Sequence, residues 1–126
     1  MPKSVPTITS GPTPVGPYSI VTEANGFVFL SGQVAFDTAT GDRVDGTVAV
    51  EAEQVMENIG SVLGELGLGY DDIVKTTVFL ADIADSGVVN EIYGRVFTGE
   101  LPARSNVQVG ALPLGFQVEI EVIAAR

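Results

Sequence analysis

The chain has 126 residues, of which 45% are hydrophobic and 17% are charged, a composition typical of a globular protein and not of a disordered one. It contains no cysteine and no histidine, which excludes disulfides, thiolate metal sites, a cysteine nucleophile and a Ser-His-Asp triad. Acidic residues outnumber basic residues by 16 to 6, and the formal charge of -10 repels polyanions. We therefore expect no nucleic-acid partner.

The length predicts a single domain over residues 1–126, because a chain of this size can bury about two thirds of the surface that it exposes when unfolded. The longest apolar runs are as short as strands, so we expect no membrane partner. The segment Met1-Pro2-Lys3-Ser4 lacks the apolar stretch of a signal peptide. These features predict a cytoplasmic protein.

The N-terminal part of the chain predicts a β-hairpin. Residues 6–17 are rich in proline and glycine and are expected to be irregular. Two strand-like runs follow, at residues 19–24 and 27–33. The pair Asn25-Gly26 separates them, and Asn-Gly between two such runs is the strongest short signal for a hairpin turn.

A helix is predicted after a loop at residues 37–46. From this point apolar residues recur at steps of three and four, which is the period of an amphipathic helix. Thr47 is the predicted N-cap and Gly67 the predicted C-terminal stop. The apolar residues on this period are Val48, Ala52, Val55, Ile59, Val62, Leu63 and Leu66.

The second half of the chain predicts three strands and one helix. Residues 73–80 are rich in β-branched side chains and predict a buried strand. Asp85 is predicted to cap a second amphipathic helix. Strands are then predicted at residues 103–109 and 117–125. The resulting order ββαβαββ indicates an α+β fold, with two helices on one face of a single mixed sheet.

The other face of the sheet is predicted to carry polar side chains. Alternation along the last two strands assigns Ser105, Val107, Val109, Val118, Ile120, Val122 and Ala124 to the helix-covered face. It assigns Arg104, Asn106, Gln108, Glu119, Glu121 and Ile123 to the uncovered face. Apolar residues from the other strands share the uncovered face, so we expect another subunit to cover it.

Arg104 and Glu119 are the candidate functional pair on this face. Arg104 is the one arginine of four that is predicted within a strand, and its guanidinium suits a carboxylate held by two hydrogen bonds. From composition alone, an ordinary ion-pair partner at an edge or interface is the favoured interpretation of Arg104. Glu119 could pair with Arg104, lie in solvent, or act as a base in a partly desolvated cleft. Lys75, among apolar neighbours, is interpreted as a snorkelling or interface-paired lysine and not as a Schiff-base lysine.

Six short segments have the order and spacing typical of one protein family. They are Gly16-Pro17-Tyr18-Ser19, Ser31-Gly32-Gln33, Val74-Lys75-Thr76-Thr77-Val78-Phe79-Leu80, Asn90-Glu91-Ile92-Tyr93, Pro102-Ala103-Arg104-Ser105 and Val118-Glu119-Ile120-Glu121. In these blocks the chain resembles the reactive-intermediate deaminase family (RidA, YjgF), and the resemblance extends over residues 14–125. Ile20 and Asn106 stand where many members have glutamine and cysteine.

The resemblance implies a homotrimer of chorismate-mutase-like subunits. Their sheets would pack around a central barrel, with three sites between subunits. It also implies hydrolysis of 2-imino acids and their enamine tautomers, such as 2-aminoacrylate, to 2-keto acids and ammonia. No metal or organic cofactor is expected for this reaction.

The resemblance also assigns roles to individual residues. Arg104 would hold the substrate carboxylate, and Glu119 would orient the attacking water and help to protonate the departing ammonia. Tyr18, Ser31 and Asn90 match positions that line the family's pocket. As purely structural alternatives, Tyr18 could anchor the N-terminal arm, Ser31 could be satisfied within the sheet, and Asn90 could lie on the helix surface.

Two other classes of function remain open from the sequence. The family includes members labelled endoribonucleases or translation inhibitors, and the lack of a basic stripe disfavours that activity. It also includes non-catalytic ligand-binding or chaperone-like trimers. Members without the equivalent of Arg104 lack the carboxylate anchor of a deaminase, and this chain has it.

Overall fold

A computed structural model describes residues 2–10 and 13–126 of the chain. The helices and strands are β1 (Val21–Ala24), β2 (Phe27–Gln33), α1 (Val48–Glu65), β3 (Ile73–Leu80), α2 (Ser86–Gly94), β4 (Ala103–Gln108) and β5 (Val118–Ala125). This is the order ββαβαββ predicted from the sequence. Strands β1, β4 and β5 are one or two residues shorter than predicted. The predicted irregular stretch at residues 6–17 includes residues 11 and 12, which lie outside the described residues.

The strands form one mixed sheet. Within the described residues it has five strands in the order β1-β2-β5-β3-β4. Strands β3 and β4 are parallel, and the other neighbouring pairs are antiparallel. Helix α1 packs against α2 and against the sheet, and α2 meets β3 through the hydrogen bond between Tyr93 and Thr76, which confirms the predicted α+β class. Neither helix is long and apolar enough to cross a membrane, as far as the described part of the chain goes.

The hairpin between β1 and β2 turns at Asn25-Gly26, as predicted. Both residues have positive φ angles, 53° for Asn25 and 79° for Gly26. A type I′ turn requires positive φ at both central positions, and asparagine and glycine adopt this conformation at the lowest cost. The turn sets β1 directly opposite β2, with Ala24 paired to Phe27.

The predicted ends of α1 are confirmed. The Thr47 hydroxyl accepts a hydrogen bond from the backbone N–H of Val50 at 3.4 Å. At the other end Gly67 has a φ of 73°, and the N–H of Leu68 donates to the carbonyl of Leu63 at 2.9 Å. This is the pattern of a glycine-terminated helix, in which the left-handed residue lets the chain turn back and satisfy the last carbonyls.

The predicted capping role of Asp85 is wrong. Asp85 occupies the N-cap position of α2, but its side chain makes no capping hydrogen bond. The chain enters α2 from a 3-10 turn at Ile83–Asp85, so the backbone of Asp85 is already helical instead of extended as a capping residue requires. Asp82 caps that turn instead, and its carboxylate accepts from the N–H of Ala84 at 2.9 Å.

The core lies between the helices and one face of the sheet. The alternation predicted for β5 is confirmed, since Val118, Ile120, Val122 and Ala124 are all buried. From α1 the buried side chains include Val55, Ile59 and Leu63. Complete burial of a side chain of this size contributes about 1.5–3 kcal/mol, so this face determines which way the central strands are oriented.

The faces predicted for β4 are reversed in the structure. Arg104 pairs with Thr76 of β3, and the Thr76 hydroxyl lies 2.7 Å from the Tyr93 hydroxyl of α2, so Arg104 lies on the helix side. Ser105 lies on the other face, where it accepts a hydrogen bond from the Lys75 ammonium group at 3.0 Å. The same register reverses the faces predicted for Asn106, Val107 and Gln108. Val109 lies beyond the end of the strand.

The reason for this reversal is that β4 is an edge strand without a buried apolar side. Its residues are exposed or only partly buried, so hydrophobic burial does not decide between the two faces. Polar contacts to α2 decide instead. The Asn106 amide nitrogen donates to the Ser86 hydroxyl at 3.0 Å, and an Arg104 guanidinium nitrogen donates to the Asn90 carbonyl oxygen at 2.6 Å.

Candidate active site

Glu119 opens onto a cavity of about 600 Å³ on the uncovered side of the sheet. Of the residues predicted for the site, Tyr18 and Ser31 line this cavity together with Glu119. The remaining lining residues are Thr13, Val15, Gly32, Val34, Phe36, Gly41, Pro113, Leu114 and Phe116. We call this space the Glu119 cavity.

The Glu119 carboxyl group is half-buried between its neighbours. Burial raises the pKa of Glu119 above its ordinary value, and the negative charge of Glu121 on the same face raises it further. A carboxylate with a raised pKa binds a proton more readily than one in water. It is therefore better suited to accept a proton from water and to return it within one reaction cycle.

Gly32 makes room for the Glu119 carboxylate. The pairing of β2 with β5 shifts between Leu30 and Gln33, which marks a bulge in β2. A Cβ atom at position 32 would lie 2.3 Å from Oε2 and 2.7 Å from Cδ of Glu119. The sequence did not identify Gly32 as a site residue, although a glycine within a predicted strand often marks a bulge or a close approach.

Ser31 has both a structural contact and a place at the cavity. Its hydroxyl donates to the carbonyl of Ser19 at 2.6 Å, and its backbone N–H donates to the carbonyl of Ile20 at 2.9 Å. The hydroxyl oxygen keeps its capacity to accept a hydrogen bond. Tyr18 is more exposed and lines the same cavity. These two residues and Glu119 bring hydroxyl and carboxylate oxygens to the cavity.

Arg104 and Asn90 lie together in a second pocket of about 260 Å³, on the helix side of the sheet edge. One guanidinium nitrogen of Arg104 donates to the Asn90 side-chain oxygen at 2.6 Å. Arginine carries five N–H donors, so a planar edge of the guanidinium can still meet a carboxylate. Asn90 thus holds Arg104 in position, a contact that the sequence did not predict. We call this space the Arg104 pocket.

The Tyr93 ring lies against the guanidinium of Arg104. Tyr93 was not identified as a site residue from the sequence. The Arg104 guanidinium carbon lies 5.1 Å from the centroid of the Tyr93 ring, within range of a cation–π contact. Burial raises the pKa of the Tyr93 hydroxyl, which is fixed by its hydrogen bond to Thr76. Its spacing could have identified it, because Tyr93 follows Asn90 by three residues and so lies on the same face of the helix.

Arg104 and Glu119 do not meet within one chain. Arg104 lies on the helix side of β4, whereas Glu119 lies on the uncovered side of β5, paired with Phe79. Strand β3 separates their strands, which places the two backbones about 10 Å apart across the sheet before the opposite side-chain directions are counted. Glu119 therefore does not pair with Arg104 of the same chain.

Metal binding would need several ligands close together. Among the residues that the structure describes, no three acidic side chains are grouped in a way that could hold an ion.

Comparisons with known proteins identify the family of this chain. The family model described as Endoribonuclease L-PSP matches residues 8–126. A solved structure of YyfA from Yersinia pestis, described as a member of the conserved Rid protein family, has a TM-score of 0.94 and 44% identity, and the match covers 99% of this chain and 100% of that one. This chain belongs to the RidA/YjgF family. The resemblance inferred from the six sequence blocks is thereby confirmed.

Other RidA/YjgF relatives carry more specific names. A Mus musculus protein named 2-iminobutanoate/2-iminopropanoate deaminase is 45% identical over 124 residues, which is 98% of this chain and 92% of that protein. A structure of E. coli TdcF with bound serine is similar with a TM-score of 0.90 and 34% identity, over 98% of both chains. This RidA/YjgF chain therefore matches its relatives along almost its whole length.

Proposed function

We propose that this protein hydrolyses reactive 2-imino acids and their enamine tautomers, of the 2-aminoacrylate type, to 2-keto acids and ammonia. The observation that carries the proposal is that the chain has two complementary groups, an accessible guanidinium in the Arg104 pocket and a half-buried carboxyl group in the Glu119 cavity. The first can bind a carboxylate and the second can transfer protons. The Mus musculus relative named as a deaminase supports the same reaction.

The proposed active assembly is a homotrimer with sites between subunits. Arg104 and Glu119 lie on opposite faces of one sheet, so a small substrate can contact both only if they come from different chains. The uncovered face also carries exposed apolar side chains, which a neighbouring subunit would bury: Phe27, Phe29 and Val107. In this assembly the Arg104 pocket of one subunit closes the Glu119 cavity of the next.

The reaction needs only binding, orientation and proton transfer. The Arg104 guanidinium holds the substrate carboxylate by two parallel hydrogen bonds and so directs the imine carbon towards Glu119. Glu119 accepts a proton from water while the water oxygen forms a bond to that carbon. Glu119 returns this proton to the nitrogen, which gives a carbinolamine. It then transfers the proton of the new hydroxyl group to the nitrogen as well, the carbon–nitrogen bond breaks, and the carbon–oxygen double bond forms. One imine and one water give one 2-keto acid and one ammonia.

The decisive experiment generates the substrate in place. A serine dehydratase releases 2-aminoacrylate, which tautomerises to 2-iminopropanoate, and pyruvate release is followed with and without this protein. We expect faster pyruvate release that scales with the amount of protein. A rate equal to the spontaneous hydrolysis at every protein concentration would overturn the proposed deaminase function.

Ribonuclease activity, which the description of the family model suggests, is not part of the proposal. The formal charge of -10 opposes the approach of a polyanion. The Glu119 cavity is lined mainly by apolar side chains, and none of its described lining residues is basic. We therefore propose a small-molecule imino acid as the ligand, without a nucleic-acid partner.

Gly32→Ala is expected to lower the turnover number by roughly tenfold to a hundredfold, because a methyl group at this position displaces the Glu119 carboxylate by a large fraction of an ångström. Steady-state kinetics on folded protein measure the effect. The matched control is Gly60→Ala, where a Cβ atom would lie 2.3 Å from the Tyr70 hydroxyl, far from Glu119.

The control should lose stability and keep its turnover. The Tyr70 hydroxyl donates to the carbonyl of Met56 at 2.7 Å, and loss of this hydrogen bond costs about 1 kcal/mol. If Gly32→Ala and Gly60→Ala lower turnover equally, Gly32 has no special relation to Glu119.

A further inference from the structure

Two polar side chains of α1 are buried, although neither belongs to the proposed site. Glu51 and Asn58 are each 2% exposed, and the other buried residues of this helix are apolar. The two lie seven residues apart, which is two helical turns, so they face the same part of the sheet. No ion pair among the described residues involves Glu51. A carboxylate buried without a cation is costly unless its oxygens accept hydrogen bonds, so its partners show what it holds.

Glu51 binds the residue directly before β5. Its carboxylate oxygens accept hydrogen bonds from the backbone N–H of Gln117 at 2.9 Å and from the Gln117 side-chain amide at 2.7 Å. The Gln117 carbonyl accepts from the N–H of Ala81, directly after β3, at 3.0 Å. The start of β5 is therefore attached both to the helix and to the neighbouring strand.

Asn58 binds the chain directly after β2. Its amide nitrogen donates to the carbonyls of Val34 at 3.2 Å and Phe36 at 2.8 Å. The Gln54 side-chain amide donates to the Asn58 side-chain oxygen at 2.8 Å, which directs the two N–H groups of Asn58 at these carbonyls. The end of β2 is therefore attached to the same helix as the start of β5.

These contacts lie where β2 and β5 separate. The last residues that the two strands pair are Gln33 and Ile120. If the pairing continued in this register, three further residues along each strand would bring Phe36 opposite Gln117. Phe36 instead forms a bridge with Arg43, and side chains of α1 bind the backbone of both Phe36 and Gln117. The polar side chains of α1 thus take the place of further pairing between the strands.

The gap between the separated strands opens into the Glu119 cavity. Val34 and Phe36 line the cavity on the β2 side of the gap, and Phe116 and Glu119 line it on the β5 side. The Glu119 carboxylate lies directly against the backbone of β2, since a Cβ atom at Gly32 would be 2.3 Å from its Oε2 atom. A closer approach of the strands by a fraction of an ångström would therefore displace this carboxylate towards solvent.

We propose that Glu51 and Asn58 are positioning residues, which hold the ends of β2 and β5 apart and so fix the Glu119 carboxylate in its reactive position. They act through the backbone of the two strands and touch no substrate. The inference rests on the proposed deaminase function, to which it adds two residues on the opposite side of the sheet from Glu119.

Glu51→Met and Asn58→Leu test the proposal. Each keeps the approximate size of the native side chain and removes its hydrogen bonds to Gln117 or to residues 34 and 36. We expect kcat for 2-iminopropanoate to fall by about tenfold or more, because misplacement by about 1 Å can cost a hundredfold. KM should change much less, because the Arg104 pocket is unaltered. Glu51→Gln keeps an oxygen for the Gln117 N–H and should stay within about threefold of the wild-type kcat.

The pKa of Glu119, measured by NMR titration, reports the position of its carboxyl group without any need for turnover. Burial raises this pKa in the wild-type protein. In Glu51→Met and Asn58→Leu it should fall towards 4.5, since a displaced carboxylate is more exposed. Glu121, whose charge also raises this pKa, is unchanged in both variants, so a shift reports the burial of Glu119.

Tyr70→Phe is the control for general loss of stability. It removes a hydrogen bond to the Met56 carbonyl of the same helix, so it should lower the melting temperature and leave both kcat and the Glu119 pKa unchanged. A wild-type kcat or a wild-type Glu119 pKa in both Glu51→Met and Asn58→Leu would overturn the inference, whatever stability they lose. If the wild-type protein hydrolyses no imine but the Glu119 pKa falls as expected, the positioning role is supported and only the proposed function is overturned.

Discussion

Glu119→Gln is expected to lower the turnover of imine hydrolysis by about a hundredfold or more while much of the substrate affinity is kept. Glutamine has the shape of glutamate but cannot accept a proton from water, so the chemical step is lost and the cavity is preserved. The turnover number and KM for 2-iminopropanoate, measured on folded protein of confirmed assembly, separate the two effects. A Glu119→Gln protein that works at the wild-type rate would remove this residue from the mechanism.

The pH dependence of the wild-type enzyme is the internal control for this role. Burial and the charge of Glu121 raise the pKa of Glu119 above 4.5. The ionised form is the one that accepts a proton, so kcat/KM should fall as the pH falls through the raised pKa. The small residual activity of Glu119→Gln should lack this acid limb. If activity falls at the same pH in the wild-type protein and in Glu119→Gln, the acid limb is due to a group other than Glu119.

Arg104→Lys is expected to lower kcat/KM by about thirtyfold to a hundredfold, mainly through a higher KM. Lysine keeps the positive charge but loses the planar pair of donors that binds a carboxylate. It also loses the guanidinium contacts to the Asn90 side chain and the Tyr93 ring. Steady-state kinetics with 2-iminopropanoate measure the loss.

The matched control for this substitution is Arg95→Lys. Arg95 forms exposed ion pairs with Glu91 at 2.9 Å and with Glu53 at 3.6 Å, and exposed pairs of this kind contribute about 0–1 kcal/mol. Activity should be unchanged in this variant. The contacts that Arg104→Lys loses, to Asn90 and Tyr93, lie at an exposed edge of the sheet, so this variant should lose little thermal stability. Loss of stability with full activity per folded molecule would contradict the proposed role.

Mixed trimers of the two inactive variants give a test that depends on the arrangement of the site. Each proposed site takes Arg104 from one subunit and Glu119 from another. In every trimer that contains both Arg104→Lys and Glu119→Gln chains, one of the three sites combines a native Arg104 with a native Glu119, so about a third of the sites should be restored. Co-expression followed by isolation of mixed assemblies provides the material. If verified mixed trimers stay as inactive as the parent variants, the sites do not lie between subunits.

The sequence by itself determined the features that depend on local chemistry. The Asn25-Gly26 turn, the Thr47 cap and the Gly67 stop were all predicted, because each depends on the conformations open to one or two residues. The faces of β5 were also predicted, since four buried side chains alternate along a central strand and a shift of one residue would expose all of them. The family was identified from short blocks that keep their spacing along the chain.

Only the tertiary structure decided how these parts form a site. The face of Arg104 could not be read from β4, because an edge strand has no apolar pattern and its contacts to Asn90 and Tyr93 come from a helix elsewhere in the chain. The space for the Glu119 carboxylate depends on a bulge at Gly32 in another strand. Pairing between strands determines which of these side chains lie next to each other, and it joins residues that are far apart in sequence. For this reason the separation of Arg104 from Glu119 became visible only in the folded chain.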